Sequence, residues 1–318
     1  MAILKLKAAG KDYLWGGTRL MDEFHKEFEG EKLAETWELS CHEAGQVTIL
    51  NGPDRGKTLK DYIQEKGNRV LGTGCRSEKE LPILIKLIDA KDQLSVQVHP
   101  DDVYAMVHSG QKGKTEVWYI VDCKEKACIY YGFSRRISKE ELKERIENKT
   151  LIDVLNKVRV KKGDVFFIEA GTIHAIGADI LVAEIQENSN ITYRIYDYGR
   201  VGTDGKERSL DIDKALDVLN MEPIESVQSF SPHMVSCEYF TVDKLYLDGI
   251  HMKSMKGFAG LDSFVHLLII DGDGTIQTKD DIQPLCKGDS VFLPAGSGMF
   301  ELDGKLEVLL QCHLVKKK

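Results

Sequence analysis

The stretch KKGDVFFIEAGTIHAIG, residues 161–177, decides the fold because it occurs again, altered, as CKGDSVFLPAGSGMFEL at 286–302. Gly163, Asp164, Ala170 and Gly171 match Gly288, Asp289, Ala295 and Gly296 at a constant offset of 125 residues. Phe166 and Phe167 fall opposite Val291 and Phe292. A Gly-Asp turn, an apolar run too short for a helix and an Ala-Gly turn read as one strand with its connections. Repetition at a fixed offset then implies a duplicated β unit. The copies differ at one telling position. His174 in the first becomes Met299 in the second, as expected of one site able to coordinate and one retired to a thioether filler.

The remaining sequence agrees with a mostly β chain. LPILIKLID (81–89), TEVWYIVD (115–122), SFVHLLIID (263–271) and LEVLLQCHLV (306–315) have strand length and the matching β-branched and aromatic content. Helical signals are fewer. SKEELKERIENKTLIDVLNK (138–157) opens with Ser138 and Glu141 at capping-box spacing, and 58–67 and 210–220 are shorter candidates. The expectation is two barrel or sandwich units with helical insertions, divided near 220–235, where NMEPIESVQSFSPH loses periodicity. Residues 1–225 would form the first unit, with its N-terminal segment, and 226–318 the second.

Bulk properties exclude several classes. A net charge of −8 argues against nonspecific nucleic-acid binding. No apolar run approaches the roughly 18 residues that span a bilayer, and the first residues lack a secretory apolar region. Seven scattered cysteines, odd in number and without a CxxC pair, suit reduced thiols in the cytoplasm.

The pattern G-x5-E-A-G-x2-H at 163–174 is similar to the second half of the cupin metal motif, and the second copy keeps that family's proline as Pro294 while lacking the histidine. Upstream, where a cupin has H-x-H, stands Gln97-Val98-His99, with Glu116 seventeen positions further on. On a strand Gln97 and His99 share a face. Two imidazoles, a carboxylate and an amide oxygen make a donor set suited to zinc.

Together with YLWGGTRL (13–20), AETWELS (34–40), LPILIKLIDAKDQLSVQVHPDD (81–102), GKTEVWYI (113–120) and YRIYDYG (193–199), these segments resemble the type I mannose-6-phosphate isomerases, particularly their short bacterial form. The resemblance implies two cupin-type (jelly-roll) β-barrel domains, the second degenerate. It implies one Zn²⁺ per chain on Gln97, His99, Glu116 and His174, and interconversion of mannose 6-phosphate and fructose 6-phosphate through an enediolate. Lys114 and Arg194 would be catalytic and touch the sugar phosphate, with Ser95 a further substrate contact and Lys86 a packing support or a prop for the ligands. A solvated Lys114 and a carboxylate-paired Arg194 are the structural alternatives. The base is open among a zinc-bound hydroxide, Lys114, Glu187 and Asp197. Oligomeric state is left open. The rival functions are another metal-dependent cupin enzyme (an oxygenase or a different sugar-phosphate isomerase) and a non-enzymatic sugar-binding cupin. Longer family members carry an extra helical domain for which this chain has no room, which leaves the phosphate pocket the least defined part.

Overall fold

The computed structural model describes residues 3–78, 80–201, 205–224 and 233–313. The alternation of side chains along Glu116–Cys123 explains the layering. Trp118 and Ile120 point into one core, with Trp15, Ile88, Ile129, Ile176 and Val182, whereas Val117, Tyr119 and Val121 point into another, with Leu4, Leu6, Phe240, Phe292 and Leu309. The strand is therefore apolar on both faces because its sheet is the middle of three layers.

That middle sheet has six antiparallel strands in the order Val165–Ile168, Glu116–Cys123, Ile180–Glu187, Ile83–Ala90, Glu35–Leu39 and Ala9–Lys11. On one side lies a five-stranded sheet ordered Tyr193–Tyr196, Val96–Val98, His174–Ile176, Cys128–Phe133 and Leu155–Arg159. On the other lies a nine-stranded sheet built around two long strands, Val265–Thr278 and Gly298–His313. The architecture is the cupin type, mostly β; strand pairing does not close the sheets into the expected barrels, and the nine-stranded sheet wraps round an apolar core of its own that includes Leu267, Val291 and Val308.

The repeat is visible in the backbone. Val165–Ile168 and Ser290–Leu293 are both strands. Gly163 and Gly288 both have φ of 90°, and Gly171 and Gly296 have φ of 87° and 80°, a region that glycine enters without strain. Half of the expected division near 220–235, residues 225–232, lies outside the described residues. The third sheet also takes two strands from far upstream. Leu4–Lys7 pairs with Ser290–Leu293, and Thr48–Ile49 pairs with Leu4–Lys7 in turn.

One local expectation changes. The helix begun at Ser138, whose hydroxyl accepts from Glu141 N, runs only over Lys139–Glu147. Lys149 has φ of 58°, a left-handed residue that ends it, and Leu155–Arg159 becomes a strand. Beyond the Val96–Val98 strand, Asp101 caps the helix Asp102–Ser109, its side chain accepting from Tyr104 N.

Candidate metal centre and cleft

Strand pairing assembles the histidines. His174 lies directly opposite Gln97 in the five-stranded sheet, and His99 follows two residues along the same face. Glu116 reaches them from the facing sheet. The His99, Glu116 and His174 ligand atoms all lie within 4.8 Å of one another, and all three residues are buried. Glu116 Oε2 is 3.5 Å from His99 Nε2, and Oε1 is 3.5 Å from His174 Nε2.

Each imidazole is aimed by its other nitrogen. His99 Nδ1–H donates to Ile191 O at 2.8 Å, and His174 Nδ1–H to Thr172 O at 2.8 Å. Both Nε2 lone pairs therefore face Glu116, the arrangement that fixes a ligating tautomer. Burial holds the His174 imidazolium down to about 4 and His99 well below the usual range, so both rings are neutral donors. The Gln97 amide lies 3.3 Å from His174 Nε2. Its nitrogen and oxygen ends are interchangeable by a flip of the side chain. His99 Nε2 and Glu116 Oε1 are buried without a hydrogen-bond partner among the described residues. Burial, with the negative Glu184 nearby, pushes Glu116 up to about 7 despite Lys114 beside it. Orphaned buried donors around a destabilised carboxylate fit a divalent cation.

Lys114 shares a face with Glu116 two residues on. Its Nζ lies 2.8 Å from Glu116 Oε2 and 3.5 Å from Glu184 Oε1, so it is a buried, paired ammonium and not a solvated one. Lys86 Nζ lies 3.1 Å from Glu184 Oε1 and 3.9 Å from Glu35 Oε2, over the Trp37 ring. Against the desolvation that would raise it, Lys114 and Lys86 hold Glu184 down to about 2. Carboxylates and ammoniums thus alternate from Glu35 to Glu116.

A cleft of about 280 Å³ opens beside this ladder, lined among others by Gln97, Lys114, Lys86, Glu184, Ser95, Arg194 and Arg208. Arg194 pairs in register with Gln97. Its guanidinium donates to Ser95 Oγ and to Ser209 O, both at 3.3 Å, and makes no ion pair among the described residues. The carboxylate-paired alternative for Arg194 does not hold for its side chain.

The two acids considered as bases lie elsewhere. Glu187 is an odd number of residues from the cleft-lining Glu184, hence on the opposite face, where it accepts from Thr115 N and burial pushes it up to about 8. Asp197 does not line the cleft, and Arg200 and Arg208 both donate to it. Glu184, Glu35, Tyr13 and Arg208 are cleft residues that the sequence reading missed. Parity along 180–187 was the available signal for Glu184: it falls in step with the inward Ile180 and Val182.

Strand register identifies what the second copy has lost. Ile168 pairs with Glu116, and its counterpart Leu293 pairs with Val265. His174 pairs with Gln97, and its counterpart Met299 pairs with Phe258. Three polar positions have become apolar. Met299 is 55% exposed, so it is not the buried filler expected from the sequence. Gly298, with φ of 80°, stands where Ile173 stands in the first copy, and Phe300 takes the inward place instead.

Comparison with known proteins places the chain. Residues 3–116 match the family described as phosphomannose isomerase type I, catalytic domain, and 231–312 match the mannose-6-phosphate isomerase cupin domain. The chain is 37% identical to mannose-6-phosphate isomerase ManA of Bacillus subtilis, covering 98% of each. A crystal structure of the mannose 6-phosphate isomerase from Bacillus subtilis superposes with a TM-score of 0.89 at 35% identity, over 98% of this chain and 99% of that one. A mannose 6-phosphate isomerase solved bound with zinc and yttrium shares the fold at a TM-score of 0.76 and 16% identity, over 98% of this chain and 100% of that one.

Proposed function

The chain belongs to the type I phosphomannose isomerase family, and from that membership we propose that it interconverts mannose 6-phosphate and fructose 6-phosphate through an enediolate, with one Zn²⁺ per chain. One observation supports this above the rest. A single cleft joins Gln97 and Lys114, which touch His174 and Glu116 of the His99–Glu116–His174 cluster, to a half-buried arginine whose side chain makes no ion pair among the described residues. An oxygenase could use the same three donors, but it would leave Lys114 and Arg194 beside them without a task.

His99 and His174 would hold the metal through Nε2, Glu116 through its carboxylate and Gln97 through its amide oxygen. Bound there, Zn²⁺ supplies Lewis-acid polarisation of substrate oxygen. The protein's own groups do the rest. Lys114 Nζ presents a proton to the sugar oxygen on which charge builds. Glu184, which also accepts from Trp118 Nε1 at 3.0 Å and Lys86 Nζ at 3.1 Å, anchors that ammonium. Arg194, across Gln97, stabilises the opposite end of the developing enediolate with a planar fork of donors.

Metal analysis paired with a coupled assay on mannose 6-phosphate tests the reading. About one zinc per chain and turnover are expected, and His174→Ala or His99→Ala should abolish both. Full activity after stringent chelation, or two tightly held metals per chain, would overturn it.

A further inference from the structure

The charges around the cleft are unevenly divided. At the metal end, Lys86 and Lys114 face Glu35, Glu116 and Glu184, an excess of one negative charge before any metal binds. At the other end three guanidiniums, Arg194, Arg200 and Arg208, meet two carboxylates, Asp197 and Asp211. Asp197 is occupied twice, by Arg208 (Nε to Oδ2, 2.7 Å; Nη2 to Oδ1, 2.5 Å) and by Arg200 Nε at 3.1 Å. Asp211 is engaged by the Arg194 backbone N–H at 3.2 Å, not by its side chain. The guanidinium of Arg194 is left half-buried beside a like charge, and burial together with Arg208 pushes its pKa below the usual arginine value. Two cations aimed into one cleft without full compensation imply an anion that the fold expects there.

The arginines differ in where they point. Arg200 turns away to Gln93 O and the Tyr198 ring, and it does not line the cleft. Arg208 does line it, with one edge of its guanidinium braced bidentately by Asp197. Such bracing leaves the remaining N–H group preoriented, which suits a tetrahedral oxyanion. Ser95 and Gln97 share a strand face two residues apart, about 7 Å. That offset carries a six-carbon sugar from reacting carbons at the metal end to a phosphate between Ser95 and Arg208.

We propose that Arg208, held by Asp197, is the phosphate-recognising residue of this chain and sets its preference for a phosphorylated sugar. The proposal rests on the isomerase reading for its substrate, but the anion site itself does not.

Inorganic phosphate is therefore the first probe, titrated calorimetrically into the full chain and into Arg208→Ala and Arg208→Lys. Phosphate should bind the parent and lose about ten- to hundredfold in affinity in Arg208→Ala, the scale of one charge-assisted contact. Arg208→Lys keeps the stem and charge, guards against a folding defect, and should fall between. With sugars, Arg208→Ala should raise KM for mannose 6-phosphate by the same factor, with kcat within about threefold and kcat/KM for unphosphorylated mannose unchanged. Equal losses on both sugars, or unchanged phosphate affinity, would overturn the proposal. A parent that binds phosphate but does not turn over mannose 6-phosphate would sink the isomerase reading and leave the anion site standing.

Discussion

Arg194 sits beside Gln97 in register but touches Ser95 and Ser209 instead of the ligand cluster. Arg194→Ala should therefore keep zinc stoichiometry and melting temperature near the parent values while kcat falls at least a hundredfold, about 2.7 kcal/mol of transition-state stabilisation. Arg194→Lys should recover only part, since an ammonium cannot span two oxygens as a planar fork does. Loss of zinc in step with activity would instead make Arg194 a structural support. The residues that converge here were legible because cupin spacing and strand parity are local properties. Gln97, His99, Glu116 and His174 could all be picked out before any pairing was known. Arg208 was not, because its place depends on which distant strands lie opposite, and Glu184 was passed over although the parity of its strand marked it. Glu187 attracted attention over Glu184 although both lie in one strand. Met299 shows the reverse failure, since a glycine beside it changes which residue turns inward.

Turns act on the site through the strands they aim. Gly171 precedes the His174 strand with φ of 87°, donates its N–H to His99 O at 2.8 Å, and lies so close to Val218 O that a Cβ would stand 2.9 Å away. Gly56 has the same φ and open space around it. Both Gly171→Ala and Gly56→Ala should lose about 1–2 kcal/mol of stability from the left-handed backbone. Only Gly171→Ala should also lose zinc affinity, as its clash shifts the chain between two ligands. Equal zinc affinity in the two variants would show that the turn does not aim the histidines. The repeat made both Ala-Gly turns readable from sequence. The short helix 139–147 was overextended because its apolar spacing continues past Lys149, whose backbone, not its side-chain pattern, stops the helix.

At the scale of the molecule, the third sheet backs the one that carries Glu116, and polar contacts cross between them. Tyr119 OH donates to Glu307 Oε1 at 2.7 Å, and Lys244 Nζ lies 3.0 Å from the same oxygen. Deep in this region His266 is fully buried between Gln311 and Ser290, and desolvation, with Lys26 adding to it, lowers its pKa to about 4 from 6.5. The unfolded chain binds the extra proton first. Stability linked to His266 is therefore complete above pH 6.5 and drains away as pH falls toward 4, by at most about 3 kcal/mol. Denaturant unfolding at pH 7.5 and 4.5 should show His266→Gln losing less stability than the parent across that interval, with the buried His99 and His174 supplying what slope remains. A parent–variant gap independent of pH would refute this. No helix among the described residues is long and apolar enough to cross a membrane. The pairing of Leu4–Lys7 with Ser290–Leu293 also orders events during synthesis. A strand made among the first residues must wait for a partner nearly three hundred residues later, roughly 15–60 s at ribosomal speeds of about 5–20 residues per second. Until then its only sheet partner among the described residues is the two-residue strand Thr48–Ile49, so one edge of Leu4–Lys7 stays unpaired until Ser290–Leu293 is made.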